Sequence, residues 1–566
     1  MRLTSLVTTA GLCLLGLCLA CSPVTGKPMT ATMSLEGLQS DALAPKFHQN
    51  ALHFSTANGT TSAWLPGEFN LTEGIRIELE FMTDSPQDNP FPRLIEGKTL
   101  SLHLTTTNDG NPNYGLKLLA QTPDGKAYAQ VIAHVVARPG VWRKVVATME
   151  PGAHRLTLSV DGLPALTETL AIRDFHPGTQ RLLLGASAPV RDNRRGFNGA
   201  IRNLAITTPF DPDDQGEELP QLPRPTIGGQ PVQHMTIKHL RGRHLAFPGF
   251  DILPNGDWAI VFREGEAHVC PYGRICLILS KDQGRNWSAP ISISDTASDE
   301  RDPAICTLPD GRVLVTHGGW NSWLAYPHTR TAFAAETAYI EATGPQNYGG
   351  SVYMFSSDNG QTWTSHRRMP AFAPHGPAIA RNRLYAVTMG ETNGLRTIDM
   401  RIMNLSDQTW EGPYRIASHP LQAVDISFEE PYALALRDGS LLVAIREPRQ
   451  GYLYVSRSED DGKTWTPVQK TEIRGFPHHL LELADGRILC TYGYRYYPYG
   501  IRACFSHDGG RTWRLKDEVV IQNNGVNTDL GYPVSRQLPN GDIVTVYYHN
   551  TQERPDCHIE GARWTP

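Results

Sequence analysis

Side chains that could carry acid–base or nucleophilic chemistry recur at one kind of position, beside a proline where a strand is predicted to begin. The six positions read Phe247-Pro248, Asp302-Pro303, His375-Gly-Pro377, Glu430-Pro431, Pro477-His478-His479 and Tyr532-Pro533. Proline is tolerated at strand starts, so the prolines alone are structural. Carboxylates, imidazoles and phenols are common proton donors, proton acceptors and nucleophiles. The catalytic candidates are therefore Asp302, His375, Glu430, His478 and Tyr532, the alternative being hydrogen-bonded polar groups that line a wet channel.

Arginines near the same predicted strands add a second kind of chemistry. The planar guanidinium fork matches the two oxygens of a carboxylate. One arginine alone is more often a surface residue, but several beside a Glu and a Tyr favour an anionic sugar as the ligand. The substrate-binding candidates are Arg263, Arg446, Arg495 and Arg502, together with His549.

The elements that must position these residues are short strands joined by tight turns. Six turns of the Leu-Pro-Asn-Gly type, one of them degenerate, separate pairs of apolar runs and predict strand–turn–strand units. The turns lie at Leu253–Gly256, Leu308–Gly311, Ala380–Arg383, Leu436–Gly439, Leu483–Gly486 and Leu538–Gly541. Each proline-flanked position lies at the start of the strand that precedes one of these turns.

A second repeat, Ser-x-Asp-x-Gly-x-Thr-Trp, occurs in four copies. They begin at Ser280, Ser356, Ser458 and Ser506, and a worn copy spans Asn404–Trp410. We expect the Asp carboxylate to accept backbone N–H groups, the Gly to take a positive φ and the Trp to pack between sheets. A strand-rich repeat of about 50 residues predicts an all-β propeller. Six blades over residues 235–566 is the economical count, with five or seven as alternatives and 320–350 as an inserted loop.

Residues 45–207 lack these repeats and predict a separate β-sandwich. Alternating apolar and polar segments there are typical of antiparallel strands, at Gly74–Phe81, Leu100–Thr105, Trp142–Met149 and His154–Val160. The segment Gly196–Leu204 resembles the closing strand of laminin-G/concanavalin-like jelly rolls, some of which bind sugars while others are spacers. A linker rich in Pro and acidic residues, 208–234, separates this domain from the propeller.

The N-terminus reads as a targeting signal. Arg2, an apolar stretch and Leu17-Cys-Leu-Ala-Cys21 resemble a bacterial lipoprotein signal over residues 1–21, with Cys21 as the lipidated residue and ordinary secretion as the alternative. We therefore expect a protein anchored through lipid to a membrane of the bacterial cell envelope. The net charge of −5, without a basic run, gives no indication of a nucleic-acid partner.

Six cysteines remain for the fold once Cys13, Cys18 and Cys21 are assigned to the signal. Cys270 and Cys276 could close a small disulfide loop, with free buried thiols as the alternative. No spacing of Cys and His predicts zinc, and we expect neither a metal nor a cofactor.

Through its repeats and strand-start residues, the region 235–566 resembles the sialidase (neuraminidase) superfamily. That resemblance implies a Tyr nucleophile activated by a Glu, an Asp acid/base and three Arg that hold the substrate carboxylate. The matching positions are Tyr532 as nucleophile, Glu430 as its base, Arg446 and Arg502 as the second and third Arg, and Asp302 as a substrate-binding Asp. A nearby carboxylate is needed because a phenol with a pKa of about 10 is a poor nucleophile at neutral pH.

Two departures from the superfamily pattern alter the expected chemistry. Where the superfamily has Phe-Arg-Ile-Pro, this chain has Leu245-Ala-Phe-Pro248, so the first Arg is missing and Ala246 is nearest its place. The Glu that orients that Arg is missing too, since the strand after Tyr532 ends in Tyr547-Tyr-His549. The acid/base Asp of the superfamily has no clear match in this chain, and Glu264 and Glu266 are the nearest candidates. His375, His478 and His479 are not part of the superfamily pattern.

Three functions of different classes remain open. The first is a sialidase-type glycoside hydrolase that releases sialic acid or a related carboxylated sugar, favoured by the order Glu430, Arg446, Arg502, Tyr532. The second is a lyase of uronate-containing polysaccharide, with His375 or His478 as base and Tyr532 as acid, favoured by the histidines and the missing Arg. The third is a non-catalytic glycan-binding lipoprotein. In each case the partner is an acidic glycan or polysaccharide.

Overall fold

The computed structural model describes most of the chain beyond residue 28. The described residues are 29–32, 35, 38, 45–48, 50–56, 60–84, 91–105, 115–133, 139–162, 165–172, 175–187, 195–208, 210, 225–325, 330, 333–344, 349–423, 426–496 and 498–566. The predicted signal 1–21 with Cys21 and residues 209 and 211–224 of the predicted linker lie outside them. No helix in the described part of the chain is long and apolar enough to cross a lipid bilayer.

The N-terminal region consists mainly of two antiparallel sheets. Its strands are β1 (Met29–Thr32), β2 (Lys46–His48), β3 (Ala51–Phe54), β4 (Ala63–Trp64), β5 (Phe69–Asn70), β6 (Ile75–Thr83), β7 (Arg93–Glu96), β8 (Leu100–Thr105), β9 (Gly115–Gln121), β10 (Tyr128–Ala133), β11 (Arg143–Glu150), β12 (Arg155–Val160), β13 (Leu166–Thr169), β14 (Thr179–Gln180), β15 (Leu183–Leu184) and β16 (Gly199–Thr208). One sheet has the order β13-β12-β11-β6-β16-β3-β2 with β1 beside β16, and the other has the order β10-β9-β8-β7-β15-β4. The strands β5 and β14 pair separately.

Alternation of apolar and polar residues explains how these sheets bury one core. Along β6, residues Ile75, Ile77, Leu79 and Phe81 are buried and the residues between them are partly exposed. They belong to the same apolar cluster as Leu102 and other residues of the second sheet. The strands predicted from alternation are confirmed as β6, β8, β11 and β12, with ends that differ by at most two residues.

After a hairpin of β17 (Thr226–Ile227) and β18 (Gln230–Pro231), the described chain forms six four-stranded antiparallel sheets. Five of them use consecutive strands: β20 (His244–Ile252), β21 (Trp258–Gly265), β22 (Arg274–Ser280) and β23 (Ile291–Ser294); β24 (Glu300–Thr307), β25 (Val313–Gly319), β26 (Gly350–Ser356) and β27 (Arg367–Arg368); β28 (Ala378–Ala380), β29 (Arg383–Thr392), β30 (Leu395–Asn404) and β31 (Trp410–Pro420); β32 (Glu429–Ala435), β33 (Leu441–Glu447), β34 (Tyr452–Ser458) and β35 (Gln469–Arg474); β36 (His478–Glu482), β37 (Ile488–Tyr494), β38 (Gly500–Ser506) and β39 (Val519–Gln522).

The last sheet joins the two ends of this region. The strand β19 (Gln233–Lys238) pairs with β42 (His558–Trp564), which continues to β41 (Ile543–His549) and β40 (Gly531–Gln537). The strand β20 contacts both β24 and β40, so the first and last sheets are neighbours. Second strands such as β21 and β41 are buried along their whole length because sheets pack on both of their faces.

The inserted loop 320–350 separates β25 from β26, as predicted. Its described part contains a 3-10 helix, Ser322–Ala325, and the helix α1 (Ala334–Thr343). A second short 3-10 helix, Leu515–Asp517, precedes β39.

The four Ser-x-Asp-x-Gly-x-Thr-Trp repeats fold as expected. In the second copy the Asp358 carboxylate accepts the Thr362 N–H at 2.9 Å, and the Trp363 indole donates to the Gly360 carbonyl at 3.2 Å. Gly360 has a φ of +87°, which a glycine adopts without strain. Trp363 packs partly buried against a cluster that includes Leu277 of the preceding sheet, so the repeat joins neighbouring sheets.

We predict that Gly510→Ala, in the fourth repeat, destabilises the fold more than Gly541→Ala does. Both glycines have a positive φ, +86° and +92°, so each Ala costs about 1–2 kcal/mol in a left-handed backbone. A Cβ at Gly510 would lie 2.4 Å from Leu442 Cδ2, whereas nothing lies within 4 Å at Gly541. The extra packing strain adds about 1–3 kcal/mol. Urea unfolding measures both variants, and equal losses would show that Leu442 moves aside without cost.

Candidate active site

The first strand of four of the six sheets contains the same β-bulge. Its residues are Phe247, Asp302, Glu430 and Tyr532, with φ values of +57°, +52°, +40° and +50°. Each is followed by proline, and the strand pairing changes register there. A bulge turns a side chain out of the regular alternation. A left-handed backbone at a non-glycine residue costs on the order of 1–3 kcal/mol, and such strain concentrates at functional sites.

The two other sheets depart from this bulge. In the third sheet His375 lies two residues before Pro377, and β28 begins only at Ala378. In the fifth sheet Phe476 directly precedes Pro477, yet its backbone is not left-handed and the strand pairing keeps its register. His478 is the first residue of β36, is 2% exposed, and neither of its ring nitrogens has a hydrogen-bond partner among the described residues. Burial lowers the pKa of His478 to about 3, so this imidazole is neutral.

Two cavities lie against these residues. The larger is a cleft of about 480 Å³ whose wall includes Asp302 and Glu430, and whose other side chains include Trp320, Phe372 and Arg396. The smaller, of about 60 Å³, is lined by Phe247, Asp302, His375, His478 and Tyr532 among others. Asp302 borders both cavities and therefore links the cleft to Tyr532. The larger volume falls within the range of about 300–1,000 Å³ that is usual for small-molecule sites.

Glu430 is held in its charged form by its neighbours. Its Oε1 accepts from Arg446 Nη1 at 2.5 Å, and its Oε2 lies 3.8 Å from His375 Nε2. Burial alone would raise the pKa of Glu430, but the charge of Arg446 and the His375 ring outweigh burial and hold this pKa well below its usual value. Glu430 is therefore a carboxylate at neutral pH.

The pKa of Asp302 is shifted in the opposite direction to that of Glu430. Burial raises the pKa of Asp302 to about 6; the Arg301 guanidinium opposes this shift and the Glu430 carboxylate adds to it. Two carboxyl groups of one site whose pKa values are pushed apart can divide the work of proton donor and proton acceptor. Asp302 suits the donor, and Glu430 suits the acceptor or the stabiliser of positive charge.

Tyr532 lies among aromatic rings at the centre of this group. Its ring centre is 4.7 Å from that of Phe247, 5.5 Å from that of His375 and 5.8 Å from that of Tyr548. Burial, followed by the charges of Glu430 and Asp302, raises the pKa of Tyr532 well above 10. The resting side chain is therefore a neutral phenol.

Several buried polar atoms around the cavities have no hydrogen-bond partner among the described residues. They are Arg301 Nε, Asp302 Oδ1, His375 Nε2, Glu430 Oε2 and Arg446 Nε. Buried polar atoms in folded proteins are nearly always paired with protein or water, so each exception needs an explanation. Their presence in one group indicates a place prepared for a polar ligand or for water.

Three guanidinium groups interact electrostatically with Tyr532. Arg446 and Arg495 stack on the Phe476 ring, 4.5 Å and 5.6 Å from its centre, and their charges oppose the rise in the pKa of Tyr532. Arg301 stacks on Phe247 at 4.8 Å and is coupled electrostatically to Tyr532. The sequence analysis named Arg446 and Arg495 but missed Arg301. Its position directly before the Asp302 bulge was the available signal.

The structure places Arg502, predicted to bind substrate, away from both cavities. Arg502 Nη1 forms an ion pair with Glu518 at 2.7 Å, and its guanidinium lies 3.3 Å from the centre of the Tyr494 ring. The residue is on the third strand of its sheet and lines neither cavity.

Arg263 and His549 also lie outside both cavities. Arg263 is fully buried and donates to Asp299 at 2.8 Å, and His549 is fully buried with its Nε2 2.8 Å from Asn524 Oδ1. Both residues lie on fully buried second strands, so their side chains pack between sheets. Glu264 is excluded as acid/base for a similar reason, because its carboxylate pairs with arginines on its own sheet.

The six described cysteines are free thiols, so the disulfide alternative for Cys270 and Cys276 is wrong. The two thiols bond different partners: Cys270 Sγ lies 3.2 Å from Arg263 Nη2, and Cys276 Sγ lies 3.5 Å from Glu264.

A half-buried acid, Asp529, bonds residues beside Tyr532. The Asp529 carboxylate accepts from the Tyr548 hydroxyl at 3.0 Å and lies 3.0 Å from His244 Nε2 and 2.9 Å from His268 Nδ1. Within the described residues, one set of side chains could hold a metal ion: His244, Asp529 and Cys557 offer ligand atoms within 4.8 Å of one another.

Comparisons with known proteins agree with the two-part organisation. Residues 46–209 match the family model described as Concanavalin A-like lectin/glucanases superfamily, and residues 320–546 match the model described as BNR repeat-like domain. No curated protein matches the chain. A protein of unknown function from Dyadobacter fermentans is 24% identical, with a TM-score of 0.49, over 59% of this chain and 98% of its own.

Two other solved structures are similar over more of the chain. The NanB sialidase of Streptococcus pneumoniae is 13% identical, with a TM-score of 0.42, over 92% of this chain and 99% of its own. A leech intramolecular trans-sialidase is 14% identical, with a TM-score of 0.41, over 87% of this chain and 94% of its own. From the two family models, the protein combines a concanavalin A-like lectin domain with a BNR repeat-like domain.

Proposed function

We propose that this protein is a glycoside hydrolase of sialidase type that releases sialic acid or a related carboxylated sugar from a glycan. In this proposal the six four-stranded sheets are the blades of a propeller over residues 235–566, preceded by a β-sandwich over 45–207 and the linker 208–234. The pairing of β19 with β42 supports closure of such a ring. The observation that carries the function is the bulge group itself: Asp302 shares one cavity with Tyr532 and the other with Glu430, and the two carboxyl groups have divergent proton affinities.

The chemistry divides into two steps. The Tyr532 oxygen attacks the anomeric carbon while Glu430 takes the phenol proton, and the glycosidic bond breaks as Asp302 gives its proton to the leaving oxygen. Water then attacks the anomeric carbon, and the bond between that carbon and the Tyr532 oxygen breaks. Asp302 takes a proton from the water, and Glu430 returns the phenol proton to Tyr532. The raised pKa of Asp302 keeps a proton available for the first step.

The substrate carboxylate has two effects in this mechanism. It pairs with Arg446, and it is also attracted by Arg301 and Arg495, whose charges are coupled to Tyr532. Arg446 is already bonded to Glu430, so the incoming carboxylate competes for the same guanidinium. This competition loosens the ion pair and raises the proton affinity of Glu430 when a substrate is bound. Arg301, stacked on Phe247 beside Ala246, takes over from the missing first Arg.

A uronate-specific lyase is the second candidate, favoured by one observation. His375 and Tyr532 lie with ring centres 5.5 Å apart, and the raised pKa of Tyr532 suits a proton donor better than a nucleophile. In that reaction His375 removes the proton α to the carboxylate, an arginine stabilises the resulting charge, and Tyr532 protonates the leaving oxygen.

The pH dependence of kcat/KM tests the role of Asp302. A general acid must be protonated, so we expect kcat/KM to fall as the pH rises through about 6, by about tenfold for each further unit. Asp302→Asn should give a low and nearly flat profile. A wild-type profile that rises through pH 6 would assign the proton transfer to another group. Because folding raises this pKa, the same titration should also lower stability as the pH rises from about 4 to about 6.

The cellular setting forms part of the same proposal. Lipidation at Cys21 would hold the protein at a membrane of the bacterial cell envelope, where it meets acidic glycans from outside the cytoplasm. Globomycin-sensitive processing of the precursor, together with a radiolabelled lipid on Cys21, would test the anchor.

A further inference from the structure

The N-terminal domain contacts a short segment that leads directly into the site. We define the entry segment as residues 523–530, which precede β40 and Tyr532. The hydroxyl of Tyr128 lies 3.0 Å from Thr528 Oγ1, and Asn527 Nδ2 donates to the Lys126 carbonyl at 3.3 Å. Tyr128 begins the edge strand β10 of its sheet. The contact therefore joins the edge of one domain to one segment of the other.

The opposite side of the entry segment bonds residues of the site. Asp529 accepts from Tyr548, whose ring faces Tyr532, and the Leu530 carbonyl accepts from Arg495 Nε at 3.0 Å. Within the segment, the Asp529 N–H donates to Asn527 Oδ1 at 2.8 Å. A displacement at Asn527 or Thr528 is thus passed to the groups that place Arg495 and Tyr548.

A cleft of about 720 Å³ opens between the domains beside the entry segment. It is lined by Asp124 and Lys126 on one side and by Asn523 and Arg554 on the other. Ala171 of the N-terminal domain is partly buried and packs against the apolar cluster that contains Leu530. Glu168 interacts electrostatically with Arg474 and Tyr496 across the same junction. The hydrogen bonds at Tyr128 and Lys126 are the contacts that reach Thr528 and Asn527 directly.

We propose that the N-terminal domain is a positioning element of the active site, and that Tyr128 acts through the entry segment to fix Arg495 and Tyr548. A lectin domain that only tethers the enzyme to glycan would not need to contact this segment. Burial and then the charge of Asp529 raise the pKa of Tyr128 to about 12, so its hydroxyl keeps its proton, and hence this bond, throughout the neutral range.

Hydrogen exchange of the full-length protein tests the proposal without any substrate. In Tyr128→Phe and in Thr528→Val, we expect amides of the entry segment to exchange roughly 2- to 10-fold faster, the effect of losing one hydrogen bond. Thr528→Ser keeps the hydroxyl and should restore the wild-type rates. Tyr414→Phe is the matched control, since its hydroxyl contacts Glu411 at 3.5 Å on an outer strand. Unchanged exchange in both test variants, or equal change in the control, would overturn the proposal.

The kinetic constants give a second test, because KM would not change if Tyr128 had a purely structural role. Displacement of Arg495 should raise KM for a carboxylated substrate several-fold in Tyr128→Phe, with kcat within about twofold of wild type, while Tyr414→Phe leaves both unchanged. The kinetic prediction rests on the proposed function, whereas the hydrogen-exchange prediction does not. If the wild-type protein is inactive but the two variants exchange faster, the hydrolase is rejected and the positioning role stands. If the wild-type protein is active but exchange is unchanged in the variants, the positioning role is rejected and the hydrolase stands.

Discussion

Tyr532→Phe is expected to abolish turnover while leaving the fold intact. The change removes only the hydroxyl, which has no hydrogen-bond partner among the described residues, and keeps the ring that packs against Phe247 and His375. Loss of a nucleophile lowers kcat on the order of 10³- to 10⁶-fold in enzymes whose catalytic groups act together. Initial rates on a fluorogenic sialoside, together with urea unfolding of the variant, measure the two effects separately.

The wild-type protein allows a second test of Tyr532. Rapid quenching during turnover should trap a glycosyl adduct on Tyr532, visible as a mass increase in the peptide that contains it. Tyr414→Phe is the control, because that hydroxyl contacts Glu411 on an outer strand away from the site, and it should retain the wild-type kcat. Turnover by Tyr532→Phe within about tenfold of wild type would remove Tyr532 from the nucleophile role.

Arg446→Met should be the most damaging substitution for both stability and substrate binding. It leaves Glu430 buried without its cation, and breaking a buried ion pair from one side costs about 3–5 kcal/mol. Because the pKa of Glu430 lies below its unfolded value in the wild type, this contribution to stability is present at neutral pH and is lost as the pH falls below about 4. The difference in unfolding free energy between wild type and variant should therefore be full at pH 7 and shrink as the pH is lowered progressively below about 4.

The double variant Glu430→Gln with Arg446→Met separates the ion pair from general packing. We expect it to be more stable than Arg446→Met alone, since no unpaired charge remains. Arg502→Met serves as the control for binding, because its partner Glu518 lines neither cavity, whereas Arg446 bonds Glu430 in the wall of the cleft. KM for a carboxylated substrate should rise strongly in Arg446→Met and stay unchanged in Arg502→Met. Equal effects in the two variants would argue against a carboxylate site at Arg446.

The all-β class and the repeat organisation could be predicted because local sequence determines them. A Ser-x-Asp-x-Gly-x-Thr-Trp repeat satisfies its own hydrogen bonds, as Asp358 does with Thr362, so its structure depends little on distant residues. The proline-flanked positions were also informative, since a bulge before proline is a local backbone event. For this reason Asp302, Glu430 and Tyr532 were found together from sequence alone.

Side-chain direction on the longer strands could not be predicted in the same way. Arg263 and Arg502 were selected because they lie at strand ends, but whether such a guanidinium faces a cavity or a neighbouring sheet depends on packing from another part of the chain. Arg502 pairs with Glu518, which lies just before β39, and Arg263 pairs with Asp299, which lies just before β24 of the next sheet. Arg301 was missed because its role depends on stacking against Phe247 of a different sheet.

His478 lies at the start of β36, where the sequence pattern placed it, but its side chain is buried. The fifth sheet lacks the bulge of the other four: Phe476 directly precedes Pro477, yet its backbone is not left-handed and the strand pairing keeps its register. Whether a proline-flanked position forms a bulge depends on the strand that pairs with it, and for this reason the sequence pattern alone did not separate His478 from the residues at the bulges.

The most direct test of the hydrolase is a parallel assay of the wild-type protein on two kinds of substrate. One is a fluorogenic sialoside, followed by release of the fluorophore, and the other is a panel of uronate-containing polysaccharides, followed by the ultraviolet absorbance of a 4,5-unsaturated uronate. We predict fluorophore release without new absorbance. Rising absorbance without fluorophore release would contradict the hydrolase and assign the site to a lyase, with His375 as the residue to mutate next, and no signal in either assay would leave a glycan-binding protein without catalysis.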